Sequence, residues 1–249
     1  MIRCIRLVCA ALFGGDSCVR CGKPSFAYPL CPPCLRLFTQ SWASFADLAV
    51  SRCRICGKVL LSEIGTCSSC RNAPVLRSTD GVFPLHAYQL WKKSVLFAWK
   101  MENRRAMSAV FAQMCAAALR QLEPVIGSGV PLVPVPPRPG KIRARGWDQI
   151  DELCRLLRRR HHYAVLPLLE RTTRVQQKKL GRVRRLGMTD CAYMLKSPRR
   201  LRKICPAPPA AVVLVDDVMT TGATIESCAA QLKRFGVKKV YALTLFAVD

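Results

Sequence analysis

Residues Val212 to Thr224 read VVLVDDVMTTGAT, and the order of chemistries along them decides the fold. Ala211 to Val215 is an unbroken apolar run of strand length, as a strand needs when helices cover both of its faces. Asp216 to Gly222 follows as a turn. From Ala223 to Phe235 the apolar positions Ile225, Cys228, Ala229, Leu232 and Phe235 recur at three and four, the period of a helix. Gly236 is placed to stop that helix, and Val240 to Phe246 makes the next strand. Strand, helix, strand with a tight first turn is a βαβ unit, so the sheet is expected to be parallel and the class α/β.

The same stretch carries a binding site. Backbone amides around Thr220 to Thr224, the hydroxyls of Thr220, Thr221 and Thr224, and the helix dipole can converge on a phosphate dianion, while Gly222 lets the backbone approach closely. Asp216 and Asp217 stand at the carboxyl end of the strand, where open α/β sheets bind ligands. Carboxylates there suit hydroxyl groups or a magnesium ion. A sugar phosphate satisfies both halves.

Working outward, Val82 to Tyr88 is expected as a strand ahead of a helical segment around Ser94 to Trp99. Met107, Val110, Phe111, Met114, Ala118 and Leu122 predict an amphipathic helix over Arg105 to Leu122, ending before Pro124 and Gly127. Pro131 to Pro136 has the look of a buried strand, Pro137 to Gly146 that of a loop. Asp148 then opens a helix through Arg160 with Ile150, Leu153, Cys154 and Leu157 on its inner face. These elements assign residues 79–249 to the α/β domain.

Residues 1–78 have a different composition, with short Gly- and Pro-punctuated turns and little helical periodicity beyond a short helix around Leu35 to Leu48. Eight of the 15 cysteines fall here in pairs: Cys18 and Cys21, Cys31 and Cys34, Cys53 and Cys56, Cys67 and Cys70. A two-residue separation lets a tight turn aim two thiolates at one tetrahedral ion, so eight ligands make two four-cysteine zinc sites. Taken in chain order, Cys18, Cys21, Cys31 and Cys34 hold one ion and Cys53, Cys56, Cys67 and Cys70 the other. An interleaved cross-brace uses the same eight residues. Neither quartet leaves an open coordination position, which makes both sites structural, and the two quartets read as a repeat of one small unit.

Half of the 249 residues are apolar, which excludes a basic disordered tail despite a formal charge of +25. An odd number of cysteines, with paired spacing confined to one end, argues for a reducing cytosol over a secreted disulfide framework. Met1 to Gly15 reads as a short amphipathic lead-in helix, and the longest uncharged stretch, Ala106 to Leu119, is too short to span a bilayer. The charge is concentrated: Arg138 to Lys203 holds 20 of the 40 basic residues and only 5 of the 15 acidic ones. With Trp147, Tyr163 and Tyr193 available for stacking, such a basic track suits single-stranded nucleic acid. His86, His161 and His162 form no constellation and are given no catalytic role.

On these residues the chain resembles known families. VVLVDDVMTTGAT matches the phosphoribosyl diphosphate motif of type I phosphoribosyltransferases at every position. The resemblance implies a phosphoribosyltransferase-like parallel sheet flanked by helices and preceded by a double zinc ribbon. It puts Asp216 and Asp217 on the ribose hydroxyls as the catalytic pair, and Thr220, Thr221, Gly222, Ala223 and Thr224 around the 5-phosphate, with magnesium bridging the diphosphate.

Val133 to Gln149 (VPVPPRPGKIRARGWDQ) and Arg171 to Leu180 (RTTRVQQKKL), with Tyr88 and Lys100, resemble the ComF family, whose members join a cysteine zinc domain to a phosphoribosyltransferase domain. That likeness implies Arg143, Arg145 and Arg174 in a mobile basic loop over the diphosphate. It also implies a role in DNA uptake, with single-stranded DNA and other DNA-uptake proteins as partners. The family usually has Phe-Asn-Gln where this chain has Trp147, Asp148 and Gln149, and an Asn where it has Met188. Two readings follow: an enzyme transferring ribose phosphate from diphosphate to an acceptor, and a non-catalytic sugar-phosphate sensor that binds single-stranded DNA.

Overall fold

The computed structural model describes residues 16–26, 28–42, 50–140, 146–172 and 192–248. The lead-in helix at Met1 to Gly15, the three loop arginines Arg143, Arg145 and Arg174, Met188, and the basic run Arg182 to Arg185 lie outside those residues.

β3 (Gly81–Ala87), β4 (Leu132–Pro134), β7 (Ala211–Met219) and β8 (Lys239–Ala247) form one sheet in the order β3-β8-β7-β4, with every pair parallel. Among the described residues, helices α3 (Trp91–Met101), α4 (Met107–Ile126), α5 (Gln149–His161), α6 (Pro198–Ile204) and α7 (Ala223–Phe235) accompany it, and β5 (Leu169–Arg171) pairs with β6 (Tyr193–Leu195) as a separate antiparallel ribbon. The Cys-rich segment supplies the hairpin β1 (Asp16–Ser17) and β2 (Pro24–Ser25), then α1 (Pro32–Gln40) and α2 (Ser68–Asn72). A parallel sheet flanked by helices behind a Cys-rich unit is the α/β class expected from the βαβ stretch.

Several element ends differ from the reading of the chain alone, three of them for evident physical reasons. β7 does not stop at Val215 but runs to Met219, because β8 extends to Ala247 and keeps offering partners, with Val218 opposite Phe246 and Met219 opposite Ala247. The acidic pair therefore lies inside a strand. α4 passes Pro124 and ends at Gly127 (φ 92°), since its buried stripe continues from Leu122 to Ile126 and outweighs one missing N–H in the last turn. α1 spans Pro32–Gln40 rather than starting at Leu35, with proline at its first position, where no N–H is needed.

Alternation along β7 sends side chains to two cores. Val213 and Val215 join α3, α4 and α5, through residues such as Trp99, Phe111 and Leu153, and this core also takes Cys18, Cys31, Cys34 and Phe38. Val212 and Leu214 join Ile225 and Leu232 of α7, together with Cys53, Cys56, Cys67 and Leu76. The two cysteine units thus sit on opposite faces of the sheet. Phe38 of α1 is wholly buried, stacked on His86 at 4.6 Å and edge-on to Phe111 at 5.9 Å. His86 is accordingly a core residue, driven down to a pKa of about 3 by burial and by Lys92.

The two units turn alike: Gly22 (φ 74°) and Gly57 (φ 71°) each donate to the carbonyl of the first cysteine of their pair, at 2.9 Å. Their surroundings differ. A Cβ on Gly22 meets nothing within 4 Å, whereas one on Gly57 would fall 1.8 Å from the Val82 carbonyl oxygen of β3. Gly22→Ala is expected to cost about 1–2 kcal/mol, the left-handed penalty alone, and Gly57→Ala upwards of about 4 kcal/mol. Denaturant melts of the two variants check this; equal losses would contradict the close docking of the second unit on β3.

Candidate functional site

The site is built at the carboxyl ends of β7 and β4. Asp216 and Asp217 are the sixth and seventh of the nine residues of β7, and the chain then leaves the sheet through the exposed Thr220 and Thr221 into Gly222, whose left-handed φ of 84° starts α7. The expected residues Asp216, Asp217, Thr220, Thr221, Gly222, Ala223 and Thr224 are therefore contiguous around one strand end and one helix N-terminus. The Thr221 hydroxyl oxygen accepts the Ala223 amide at 3.3 Å, and the Thr224 side chain is hydrogen-bonded to the Tyr193 hydroxyl.

Adjacent carboxylates in a strand repel, and the structure separates their charges. Lys100 Nζ lies 2.7 Å from Asp217 Oδ2 and neutralises it. Asp216 is desolvated and sits beside the Asp217 charge; these raise its pKa to about 8 against the pull of the Asp217 amide, which donates to Asp216 Oδ1 at 2.8 Å. One acid is thus paired with a lysine while its neighbour retains a proton at low and neutral pH.

Lys100 is held by a corner of the fold. The Gln149 side-chain amide donates to the Lys100 carbonyl at 3.2 Å, Trp147 Nε1 donates to Asn103 Oδ1 at 2.8 Å, and Arg105 pairs with Glu152 while stacking over the Trp147 ring. Asp148 caps α5, accepting the Ile150 and Asp151 amides at 3.0 Å. An Asn would cap equally well, so the Asp148 departure from the family pattern leaves the helix start intact. Trp147 and Tyr193 are both buried, Tyr193 under the Arg171 guanidinium. They are not available to stack on bases; the exposed aromatics include Phe97 and Phe26. Glu226 was not singled out from the chain, and Lys100 and Tyr193 were named only as a family likeness and as a stacking aromatic, because each meets its partner here only through tertiary contact.

The eight paired cysteines gather as two groups, Cys18 with Cys21, Cys31 and Cys34, and Cys53 with Cys56, Cys67 and Cys70, the sulfurs within 4.8 Å of one another. Grouping in chain order excludes the cross-brace. Sulfurs around a tetrahedral zinc stand about 3.8 Å apart. The observed separations are 3.7 Å for Cys21–Cys31, 3.6 Å for Cys34–Cys21 and 3.7 Å for Cys56–Cys67, well beyond a disulfide. Burial works against ionisation at Cys18 and Cys53, yet backbone amides bring each down to about 6, those of Cys31, Arg20 and Cys21 at the first and of Cys56, Cys67 and Ile55 at the second. Each quartet can hold one zinc ion.

No family model matches the chain. It is 25% identical over 207 residues to the competence protein ComFC of Streptococcus pneumoniae (strain ATCC BAA-255 / R6), an alignment covering 82% of this chain and 84% of that protein. The resemblance to the ComF family is borne out. The chain is thus similar to a ComF protein over most of its length, and its cysteine clusters fit a double zinc ribbon.

Metal analysis of the purified protein is expected to return two zinc ions per chain, and removal by a strong chelator to unfold the Cys-rich units; a folded, metal-free protein would contradict this. Asp216 gives a second test. Between about pH 4 and pH 8 the folded chain holds a proton that the unfolded chain has released, so this group's contribution falls as pH rises through that window. The melting temperature of Asp216→Asn relative to the parent should rise between about pH 5 and about pH 8.5. An offset independent of pH would sink the assignment.

Proposed function

We propose that this protein binds phosphoribosyl diphosphate at the carboxyl end of β7 and acts in DNA uptake during natural competence. The observation that carries the reading is the contiguity of an acidic pair and a glycine-started helix N-terminus at one strand end. A pentose 5-phosphate has vicinal hydroxyls and a dianion on opposite sides of one ring. Asp216 and Asp217 take the hydroxyls. The amides and hydroxyls from Thr220 to Thr224 take the 5-phosphate. Arg143, Arg145 and Arg174 supply forked donors over the diphosphate. The name of the Streptococcus pneumoniae relative supports the competence role.

Magnesium, held by the carboxylates at this strand end, would supply charge neutralisation to the leaving group. As the bond from C1 to the diphosphate oxygen breaks, positive charge develops on the ring, and the lysine-paired Asp217 carboxylate stabilises that charge without moving, while the protonated Asp216 stays on a ribose hydroxyl. The electron pair leaves with the diphosphate, and an acceptor nucleophile forms the new bond at C1. Lys100 stays paired with Asp217 throughout.

A second reading, a sensor that binds sugar phosphate and single-stranded DNA without turnover, is favoured by one observation. Arg158, Arg159 and Arg160 at the end of α5, and Arg199, Arg200, Arg202 and Lys203 on α6, all face solvent.

The double variant Asp216→Asn, Asp217→Asn is expected to lose phosphoribosyl diphosphate affinity by about tenfold or more, chiefly from the one charge-assisted contact of roughly 1.5–3 kcal/mol at Asp217. Calorimetric titration reads it, and full affinity in the variant would overturn the binding mode. DNA uptake in cells carrying the variant then separates the readings: loss of uptake supports turnover, and normal uptake supports the sensor.

A further inference from the structure

Glu226 stands in the first turn of α7, where a carboxylate would ordinarily compete with a bound phosphate for the helix dipole. Its two oxygens are instead engaged elsewhere. Oε2 accepts the amides of Arg77 and Ser78 at 2.8 and 2.9 Å, and Oε1 accepts the Ser78 hydroxyl at 2.7 Å. Arg77 and Ser78 belong to the strap that leads from the second cysteine quartet to β3, so one acid of the phosphate-loop helix clasps the segment that carries Cys67 and Cys70.

The strap reaches the loop in a second place. Leu76 is buried against Gly222, where an added Cβ would meet the leucine side chain at 3.0 Å. Between the quartet and the loop lies a cavity of about 490 Å³, lined by Cys56, Cys70, Val75, Met219 and Thr221 among others. The Leu76 contact and the Glu226 clasp bridge the two sides of this space. A phosphate loop that must keep its amides convergent gains from such a fixed support, and a metal quartet whose last cysteine heads the strap gains in return. Equilibrium coupling between two sites is reciprocal.

We infer that Glu226 is a positioning residue: by clasping Arg77 and Ser78 it seats Leu76 on Gly222 and couples metal retention at the second cysteine quartet to occupation of the phosphate loop. The inference rests on the sugar-phosphate reading of that loop.

The test uses the zinc-loaded full chain and follows zinc transfer to a chromogenic chelator, with and without saturating phosphoribosyl diphosphate. In the parent protein the ligand is expected to slow release of one of the two zinc ions by about tenfold, corresponding to about 1.4 kcal/mol of coupling. Glu226→Ala should lose that ligand effect while still binding the ligand more weakly, and Glu226→Gln, which keeps an acceptor oxygen for the two amides, should restore most of it. Leu76→Ala, which leaves the clasp in place, should also lose the effect, and it keeps the test open if Glu226→Ala fails to fold. A general loss of stability would speed release of both ions and leave the ligand effect unchanged. Ligand binding by the parent with no change in zinc release overturns the coupling alone. A parent protein that does not bind phosphoribosyl diphosphate overturns the functional reading as well.

Discussion

Two carboxylates on consecutive residues of a buried strand cannot both carry a full charge without help, and much of the α/β domain is arranged around that constraint. Lys100 answers one of them at 2.7 Å, and the other holds a proton. Lys100 can do so only because the corner between α3 and α4 is fastened to the start of α5, through Gln149 on its carbonyl and Trp147 on Asn103. The buried aromatic packing of Trp99, Phe111 and Phe246 gives those helices their footing on the sheet. Charge balance at the site and packing of the core are thus one problem, solved by the same three helices.

How much of this was legible in the chain depends on the range of the interaction. The βαβ unit from Ala211 to Phe246 was legible because apolar period and turn chemistry are local, and α7 has the predicted bounds. The eight cysteines were legible as ligands because their spacing is a local property. Their division between two sites was not, since both pairings satisfy the same spacing. The extension of β7 through the acidic pair depended on how far β8 reaches, and nothing in Asp216 to Met219 records that. Lys100, Tyr193 and Glu226 meet their partners across long stretches of chain, so their roles arise only on folding.

The cysteine units are better understood as parts of the sheet's two coverings than as an appendage. Phe38 fills the same core as Trp99 and Val215, and Leu76 the same core as Ile225 and Leu214. Small metal-stapled segments have little core of their own, and here each shares in a larger one. The strap from Leu76 to Ser78 ties the second unit in turn to Gly222 and to the first turn of α7.

The docking of Gly57 on Val82 has a consequence for the life of the chain before it is fully assembled. β3 is an outer strand of the sheet, hydrogen-bonded only to β8, and the turn of the second cysteine unit lies against its Val82 carbonyl. At the opposite margin β4 is only three residues long and flanked by prolines, a poor template for another strand. The β3 margin has one proline, Pro84, and the turn at Gly57 lies against it as well as against Val82. Until the cysteine unit has folded over it, that margin is an open invitation to a neighbouring chain. Folding of the second cysteine unit therefore completes the edge of the sheet as well as the unit itself.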